Sequence, residues 1–375
     1  GDNRERIARA LLAALARADG VVTTGGLGPT TDDLTKEAVC DALGVGVELY
    51  EPALRQMEKF FAKVGRPMRA NNRKQAQLPQ GSLPLDNPNG TAPGFIAFSR
   101  EGKFVVCMPG VPAEMKPMLR NAVVPFLRER LHASDLIVTR VIHTIGLGES
   151  EIDHRIGDLF RSCENPKIAV LAHDFRADVK IMAKSPSDAQ ARQLIEPLEH
   201  EIEDRLAGNV FGIDEETPAS AVLRALRARD ARLALAESCT GGRIAAALTS
   251  VPGASESFVG AIVAYDNAIK ISELDVAPPT LERYGAVSEE SAREMAAGAR
   301  LRLHADIALA TTGVAGPGGG SPDKPVGSVW IALDDVRSGA RAWRFAFNGD
   351  RDAVVRRATN AALNLLWRHL DGQEP

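Results

Sequence analysis

Three apolar runs, "RLALAES" (232–238), "FVGAIVAYD" (258–266) and "ADIALATTG" (305–313), are short, unbroken and closed by polar residues. Runs without polar alternation suit strands covered on both faces, the pattern of sheets flanked by helices. The first two lead into helix-like segments, "RIAAALTSV" and "NAIKISEL", and the third into the glycine-rich "GVAGPGGG". Strands alternating with helices predict an open α/β sheet. Ligands of such sheets sit beyond the carboxyl ends of the strands, so the three polar ends are expected to share one crevice.

At 375 residues the chain exceeds one ordinary core, and two or three domains are expected. The first 125 residues repeat the α/β rhythm. A helix from Arg4 to Ala18 leads into the strand "GVVTTGG", a glycine loop and the helix "DDLTKEAVCDAL". After a polar, proline-rich span come the strand "KFVVCMPG" and the helix "PAEMKPMLRNAVVPFLRERL". From about 136 to 212 the order is strand, helix, hairpin ("KIAVLAHDFRADVKIMAK") and long helix, a small α+β module. The acidic "GIDEETPAS" reads as a linker to a second α/β domain. In that domain Ser288 is the expected N-cap of the helix "SEESAREMAAGARLRL", and "GSVWIALD" with "RAWRFAFNG" forms a hairpin-like pair. In the last helix Val354, Ala358, Ala361, Ala362 and Leu365 share one face. The fold class expected is therefore α/β: two α/β domains with largely parallel sheets flanking a small α+β module. The chain opens on a charged amphipathic helix where an α/β domain normally has its first strand, so further residues are expected to precede Gly1.

The formal net charge of −4 gives no reason to expect a nucleic-acid or membrane-surface protein. No apolar stretch approaches the roughly 20 residues that span a bilayer. The four cysteines stand far apart without a CxxC pair, which suits reduced thiols and a cytoplasmic location.

The stretch "AESCTGG" (236–242) sets Ser238, Cys239 and Thr240 side by side at a strand-to-helix turn. A serine nucleophile needs a base, and a lysine serves when desolvation lowers its pKa. Lys270 is the lysine near these strand ends, and Tyr265 is placed to relay a proton. The N–H groups of Cys239, Thr240 and Gly241 suit a developing oxyanion, and Gly313, Gly316 and Gly318 allow close approach of a phosphate. Each has a plainer reading: Ser238 or Thr240 as helix N-cap, Lys270 as a solvated lysine, Thr311 and Thr312 as a strand end. Alternation along the strand turns Ser238 into the crevice and Cys239 behind the loop. Neither glycine run has the spacing of a dinucleotide fingerprint or a P-loop, so pattern alone leads to an α/β ligand-binding enzyme. In the N-terminal part, "TTGGLGPTTDDLT" offers helix N–H groups to a phosphate and two adjacent carboxylates, Asp32 and Asp33, to a divalent metal on a pyrophosphate. Thr30 with Asp33 equally reads as a capping box.

The runs "AESCTGG", "YDNAIK", "GAVSEESAREMA", "TTGVAGPGGG" with "PDKPVGSVWIAL", and "FNGDRDAVVRRAT" resemble the signatures of the CinA C-terminal domain, in order, over about 215–370. The resemblance implies a nicotinamide mononucleotide (NMN) deamidase that forms nicotinic acid mononucleotide and ammonia without a cofactor. It makes Ser238 the acylated nucleophile and Lys270 and Tyr265 the proton-handling pair. Thr312 and Gly313 border the amide or phosphate, Arg351 is a phosphate or catalytic contact, and Thr240, Gly241, Gly242, Asn267 and Gly316 line the pocket. The first 130 residues resemble the molybdopterin-binding-like domain of CinA proteins, which implies a metal-dependent ADP-ribose pyrophosphatase. Asp32 and Asp33 would hold a divalent metal of the Mg or Co type, with K+ as a further ion. Gly25, Gly26, Gly28 and Thr31 would cradle phosphate, and Asn89, Gly90 and Glu114 would complete the pocket. Residues 135–212 resemble the KH-like insert, here a spacer or dimerisation element, because "GLGES" runs into acidic residues where a nucleic-acid clamp needs basic ones. The implied partners are small nucleotides, NMN and ADP-ribose, and a second copy in a homodimer; neither nucleic acid nor membrane is expected. The competing readings are a molybdopterin- or nucleotide-binding protein with an accessory C-terminal domain, and a non-enzymatic competence- or DNA-damage-associated regulator.

Overall fold

The computed structural model describes residues 2–131, 135–173 and 176–373. The chain divides into two compact units, Gly1–Ser134 and Asp135–Pro375.

In the first unit, helix α1 (Arg4–Leu15) starts at Asn3, whose side chain accepts from the Arg6 N–H, and buries Ala8, Leu11 and Leu15. Strand β1 (Gly20–Thr24) then runs into the glycine loop. Helix α2 (Thr35–Leu43) begins three residues later than its sequence suggests. Asp32 and Asp33 therefore lie in the loop and not in a first helical turn. The cause is local: the Asp33 carboxylate accepts from the backbone N–H and hydroxyl of Thr30, closing a tight turn before the helix. The polar, proline-rich span is structured. It holds β2 (Val47–Leu49), α3 (Glu51–Val64), β3 (Gln77–Pro79) and β4 (Leu83–Leu85). Helix α3 buries Ala53, Leu54 and Met57 on one face, with Phe61 packed beside them.

Strands β5 (Gly94–Phe98) and β6 (Phe104–Met108) complete a four-stranded sheet ordered β1–β6–β5–β4. Only β1 and β6 pair in parallel; β5 pairs antiparallel with both neighbours. The short link from Phe98 to Phe104 leaves no room for a crossover. The long helix expected after Gly110 is broken into α4 (Pro112–Met118) and α5 (Val124–Arg130) by a π-helical turn, Leu119–Val123. Pro125 has no N–H to return to the carbonyl four residues back.

The second unit opens with β7 (Leu136–Ile145), α6 (Glu149–Ser162), β8 (Lys167–His173), β9 (Arg176–Ser185), α7 (Asp188–Arg205) and β10 (Val210–Ile213). Their antiparallel sheet is ordered β10–β7–β9–β8. Ala177, Val179, Ile181 and Ala183, alternate residues of β9, meet Ile152 and Ile156 of α6 and Ile195 and Ile202 of α7 in one core. Strand β10 takes up the start of the acidic linker segment. The module packs onto the C-terminal part of the chain: Ile145 and Phe211 belong to the same apolar cluster as Trp367, with the Phe211 and Trp367 rings 6.3 Å apart.

The rest comprises α8 (Pro218–Ala228), β11 (Leu233–Glu237), α9 (Arg243–Thr249), β12 (Phe258–Val263), α10 (Asn267–Leu274), α11 (Pro278–Tyr284) and α12 (Glu289–Arg302). Strands β13 (Ile307–Gly313), β14 (Ser328–Asp335) and β15 (Gly339–Ala346) and helix α13 (Arg351–Leu370) complete it. The sheet order is β12–β11–β13–β14–β15. The three apolar runs form its parallel half, and the hairpin β14–β15 extends it antiparallel from β13. One apolar cluster, with Leu223, Leu248 and Leu366, covers one face, and another, with Leu274, Met295 and Ala299, covers the other. Ser288 caps α12 as its sequence predicts, accepting from the Ser291 N–H at 3.2 Å.

Candidate active site

The crevice lies where β11, β12 and β13 end. Ser238 follows the last residue of β11, and its N–H donates to the Thr311 carbonyl at 3.0 Å, so the sheet ladder runs up to the serine. Lys270, on the first turn of α10, reaches back and donates from Nζ to Ser238 Oγ at 3.1 Å, to the Ala264 carbonyl at 2.8 Å and to the Tyr265 carbonyl at 3.2 Å. Lys270 is 1% exposed and Ser238 7%. Burial pushes the Lys270 ammonium below the ordinary lysine value, against the opposing pull of the Asp266 carboxylate and Cys239. A lysine in contact with a serine hydroxyl, with its charged form disfavoured, is the arrangement a serine nucleophile needs.

The neighbour of Ser238 has another environment. Cys239 is buried in the apolar cluster of α8, α9 and α13, and burial pushes its thiol up to about 12. The thiolate is then absent at neutral pH, and with it the nucleophile. Thr240 Oγ1 lies 2.7 Å from Thr311 Oγ1 in a buried pair that ties the turn after β11 to β13.

The turn itself is organised by Glu237, which the sequence does not single out. Its carboxylate is fully buried and accepts from the backbone N–H groups of Gly242 (2.9 Å), Ile244 (3.2 Å) and Ala245 (2.8 Å). These are first-turn donors of α9, so Glu237 fills the capping role offered to Ser238 or Thr240 and leaves both hydroxyls to other partners. Gly241 and Gly242 have φ of +60° and +92°, the left-handed region the chain needs to turn from β11 into α9. The Gly241 N–H donates to the Ser238 carbonyl at 3.2 Å and is not open to a ligand. The N–H groups of Cys239 and Thr240 meet no acceptor among the described residues, and these two remain for an oxyanion.

Arg351, first residue of α13, bridges the crevice. Its guanidinium donates to the Tyr265 hydroxyl at 2.7 Å and to the Gly316 carbonyl at 2.8 Å. Tyr265 is 61% exposed, so its ring stands at the mouth. Asn267 opens α10 and is exposed. The Thr312 hydroxyl donates to the Ala286 carbonyl at 2.7 Å, which gives it a positioning contact to the loop before α12. At Gly313 a Cβ would come within 2.7 Å of Val329.

In the first unit a cavity of about 330 Å³ is lined by Gly25, Gly26, Gly28, Asp33, Thr91 and Glu114, with Gln75 and Gly110 also in its wall. Thr31 is exposed and not part of this lining, and Asn89 and Gly90 also stand outside it. Asn89 donates to the Ala113 carbonyl at 3.0 Å, and a Cβ at Gly90 would meet Glu114 at 2.2 Å, so both hold the loop before β5 against the start of α4, which carries Glu114. Glu114 in turn accepts from the Asn87 amide at 2.7 Å. Burial alone would raise the Asp33 carboxyl, yet the bonds from Thr30 and Gly28 and the charge of Lys74 hold it below the ordinary value. Asp32 is exposed, and among the described residues no three His, Cys, Asp or Glu side chains converge as a metal cage. Gln75 Oε1 is buried without a partner. This donor set fits only a hard cation that keeps its own waters and is shared with substrate phosphates.

Three family models match in sequence order: the "Probable molybdopterin binding domain" over 1–129, the damage-inducible protein CinA KH domain over 139–212, and the CinA C-terminal domain over 215–370. A competence-damage inducible protein of Moorella thermoacetica is 42% identical over all of this chain and 89% of its own length. Another, of Caldicellulosiruptor saccharolyticus, is 41% identical over 98% of this chain and 88% of its own length. The chain belongs to the CinA family. A crystal structure of the competence/damage inducible protein CihA of Agrobacterium tumefaciens is 36% identical and covers 41% of this chain and 93% of that one, with a TM-score of 0.40. In this CinA protein, among the described residues, no helix is long and apolar enough to cross a membrane.

Proposed function

We propose that the Ser238 crevice hydrolyses the carboxamide of NMN to nicotinic acid mononucleotide and ammonia. The observation that carries the reading is the 3.1 Å contact between Ser238 Oγ and the buried Lys270 Nζ. Once Lys270 has lost a proton, Nζ takes the hydroxyl proton as Oγ attacks the carboxamide carbon. The oxyanion meets the N–H groups of Cys239 and Thr240. The carbon–nitrogen bond then breaks, the nitrogen takes the proton back from Lys270, and ammonia leaves an acyl-serine. Water, deprotonated by the same amine, attacks the acyl carbon, and the proton returns to Ser238 as the ester bond breaks. Arg351 donates to the Tyr265 oxygen, which leaves the phenol O–H free to relay a proton. Its guanidinium also suits the phosphate of a nucleotide.

The first-unit cavity is assigned to ADP-ribose pyrophosphate hydrolysis. The glycine loop would hold the pyrophosphate, and Asp33 with Glu114 would hold a divalent metal that supplies charge neutralisation at the phosphates. What supports this is the convergence of Gly25, Gly26, Gly28, Asp33 and Glu114 on one cavity.

The test of the first assignment is ammonia release. The purified protein is expected to liberate ammonia from NMN and not from nicotinamide, and Ser238→Ala to abolish it. Ammonia release surviving in Ser238→Ala, or none from the parent protein, overturns the reading.

A further inference from the structure

A second, larger cavity, about 650 Å³, lies within the second unit, away from the residues of the Ser238 crevice. It is walled by the loop between β7 and α6, the facing ends of β8 and β9, strand β15 and the last turns of α13. Its volume is that of a small-molecule site.

The walls combine two chemistries. Leu147, Trp343, Phe345 and Leu365 supply an apolar surface with two aromatic rings. The charged side chains in the wall are all basic, and among the described lining residues there is no Asp or Glu, although the chain as a whole is acidic. Arg344 donates to the Asp323 carbonyl at 3.0 Å and is accounted for. His173 and Arg176 share one carboxylate, Asp178, at 2.9 and 3.9 Å, and that carboxylate also serves His143 at 2.7 Å. Arg368 differs from these. Among the described residues it makes no ion pair; its Nε is sealed from solvent without a partner, as is Arg293 Nε, and its guanidinium lies on Gly146, where a Cβ would fall 2.1 Å from Nη2. A buried guanidinium nitrogen without an acceptor is costly and rare in a finished core. Beside it, helix α6 starts after Gly148, but its first turn carries Glu149 and Glu151, so its amino end adds nothing to the basic wall.

We propose that this cavity binds a small aromatic phosphate of mononucleotide size. Its phosphate pairs with Arg368, on the wall that also holds Arg176, and its ring lies against Trp343 and Phe345. A phosphate supplies acceptors to the terminal nitrogens of Arg368 on the cavity wall. The aromatic wall and the low-dielectric surroundings strengthen that pairing. The site does not depend on the activity assigned to Ser238.

Calorimetric titration of the full-length protein with adenosine 5′-monophosphate as probe tests the proposal, with adenosine and inorganic phosphate as comparison ligands. One binding event is expected to weaken at least about tenfold in Arg368→Met and to persist in Ser238→Ala, with adenosine failing to reproduce it. Arg176→Met carries the same expectation at smaller size, and serves if Arg368→Met does not fold. Phosphate alone binding as tightly as the mononucleotide would remove the aromatic wall from the site and overturn the ligand class. Isotherms of both arginine variants that superimpose on the parent overturn the site itself, as does adenosine binding as tightly as the mononucleotide.

Discussion

Among the described residues two lysines are buried, Lys270 at 1% exposure and Lys36 at 5%, and in both burial pulls the pKa below the ordinary lysine value. They differ in company. Lys36 Nζ has the Glu37 carboxylate at 3.5 Å and donates to the Lys74 carbonyl at 2.8 Å, while Lys74 approaches the same carboxylate at 3.4 Å. Lys270 Nζ has two backbone carbonyls and a serine hydroxyl, and no carboxylate in contact. Burial therefore does not separate a working lysine from a structural one. What separates them is whether the ammonium has a counter-ion in contact that keeps it charged, and whether a nucleophile stands within reach.

The comparison breaks most readily at Lys270. Lys270→Met removes the base and is expected to lower NMN turnover by about 10²–10⁴-fold, measured as ammonia release; turnover within a few-fold of the parent would reduce Lys270 to a packing role. The pH profile sharpens the same point. The amine acts only when neutral, and its pKa in the fold lies below the ordinary 10.5, so turnover rises with pH along one limb whose midpoint falls under that value. Protonation on the acid side of the limb removes activity, and a midpoint at or above 10.5 contradicts the lowered lysine. Lys36→Met, in contrast, removes one of the two cations on Glu37, leaving Lys74 at 3.4 Å, and empties a buried donor site. It is expected to cost about 1–3 kcal/mol in denaturant unfolding while NMN turnover holds. Smallest is Cys239→Ala. Its thiol, pushed up to about 12, takes no part in the chemistry, so turnover stays near the parent's and only about 1 kcal/mol of packing is lost. A loss of turnover comparable to that of Ser238→Ala would give the nucleophile to the thiol.

The parts of the fold legible in the sequence are those whose cause is local. The continuous runs 233–237, 258–263 and 307–313 become the parallel half of a sheet, and Ser288 caps α12, because hydrophobic period and hydroxyl capping act over a few neighbouring residues. Helix α3 carries Leu54, Met57, Phe61 and Val64 at helical spacing, a local signal set within a polar, proline-rich span, and the π-helical turn before α5 accommodates a proline's missing N–H. The first-unit loop shows local competition going the other way, with Asp33 recruited by Thr30 into a turn before the helix can use it.

The sequence by itself determined which residues carry reactive groups and that Ser238, Tyr265, Lys270 and Thr312 stand at the ends of strands or on the turns beyond them. It also led to the expectation that Ser238 and Cys239 face different surroundings by strand alternation, whereas both lie in the turn after β11, and the turn gives Cys239 its apolar cluster. Only the tertiary structure decided the rest. Lys270 meets Ser238 across 32 residues, Arg351 meets Tyr265 across 86, and Glu237 turns inward to hold the amino end of α9. Which groups lose water, and which find a partner afterwards, depends on surfaces brought together from distant segments. Desolvation and long-range pairing belong to the packed chain, and they separate a lysine that can act as a base from one that closes an ion pair.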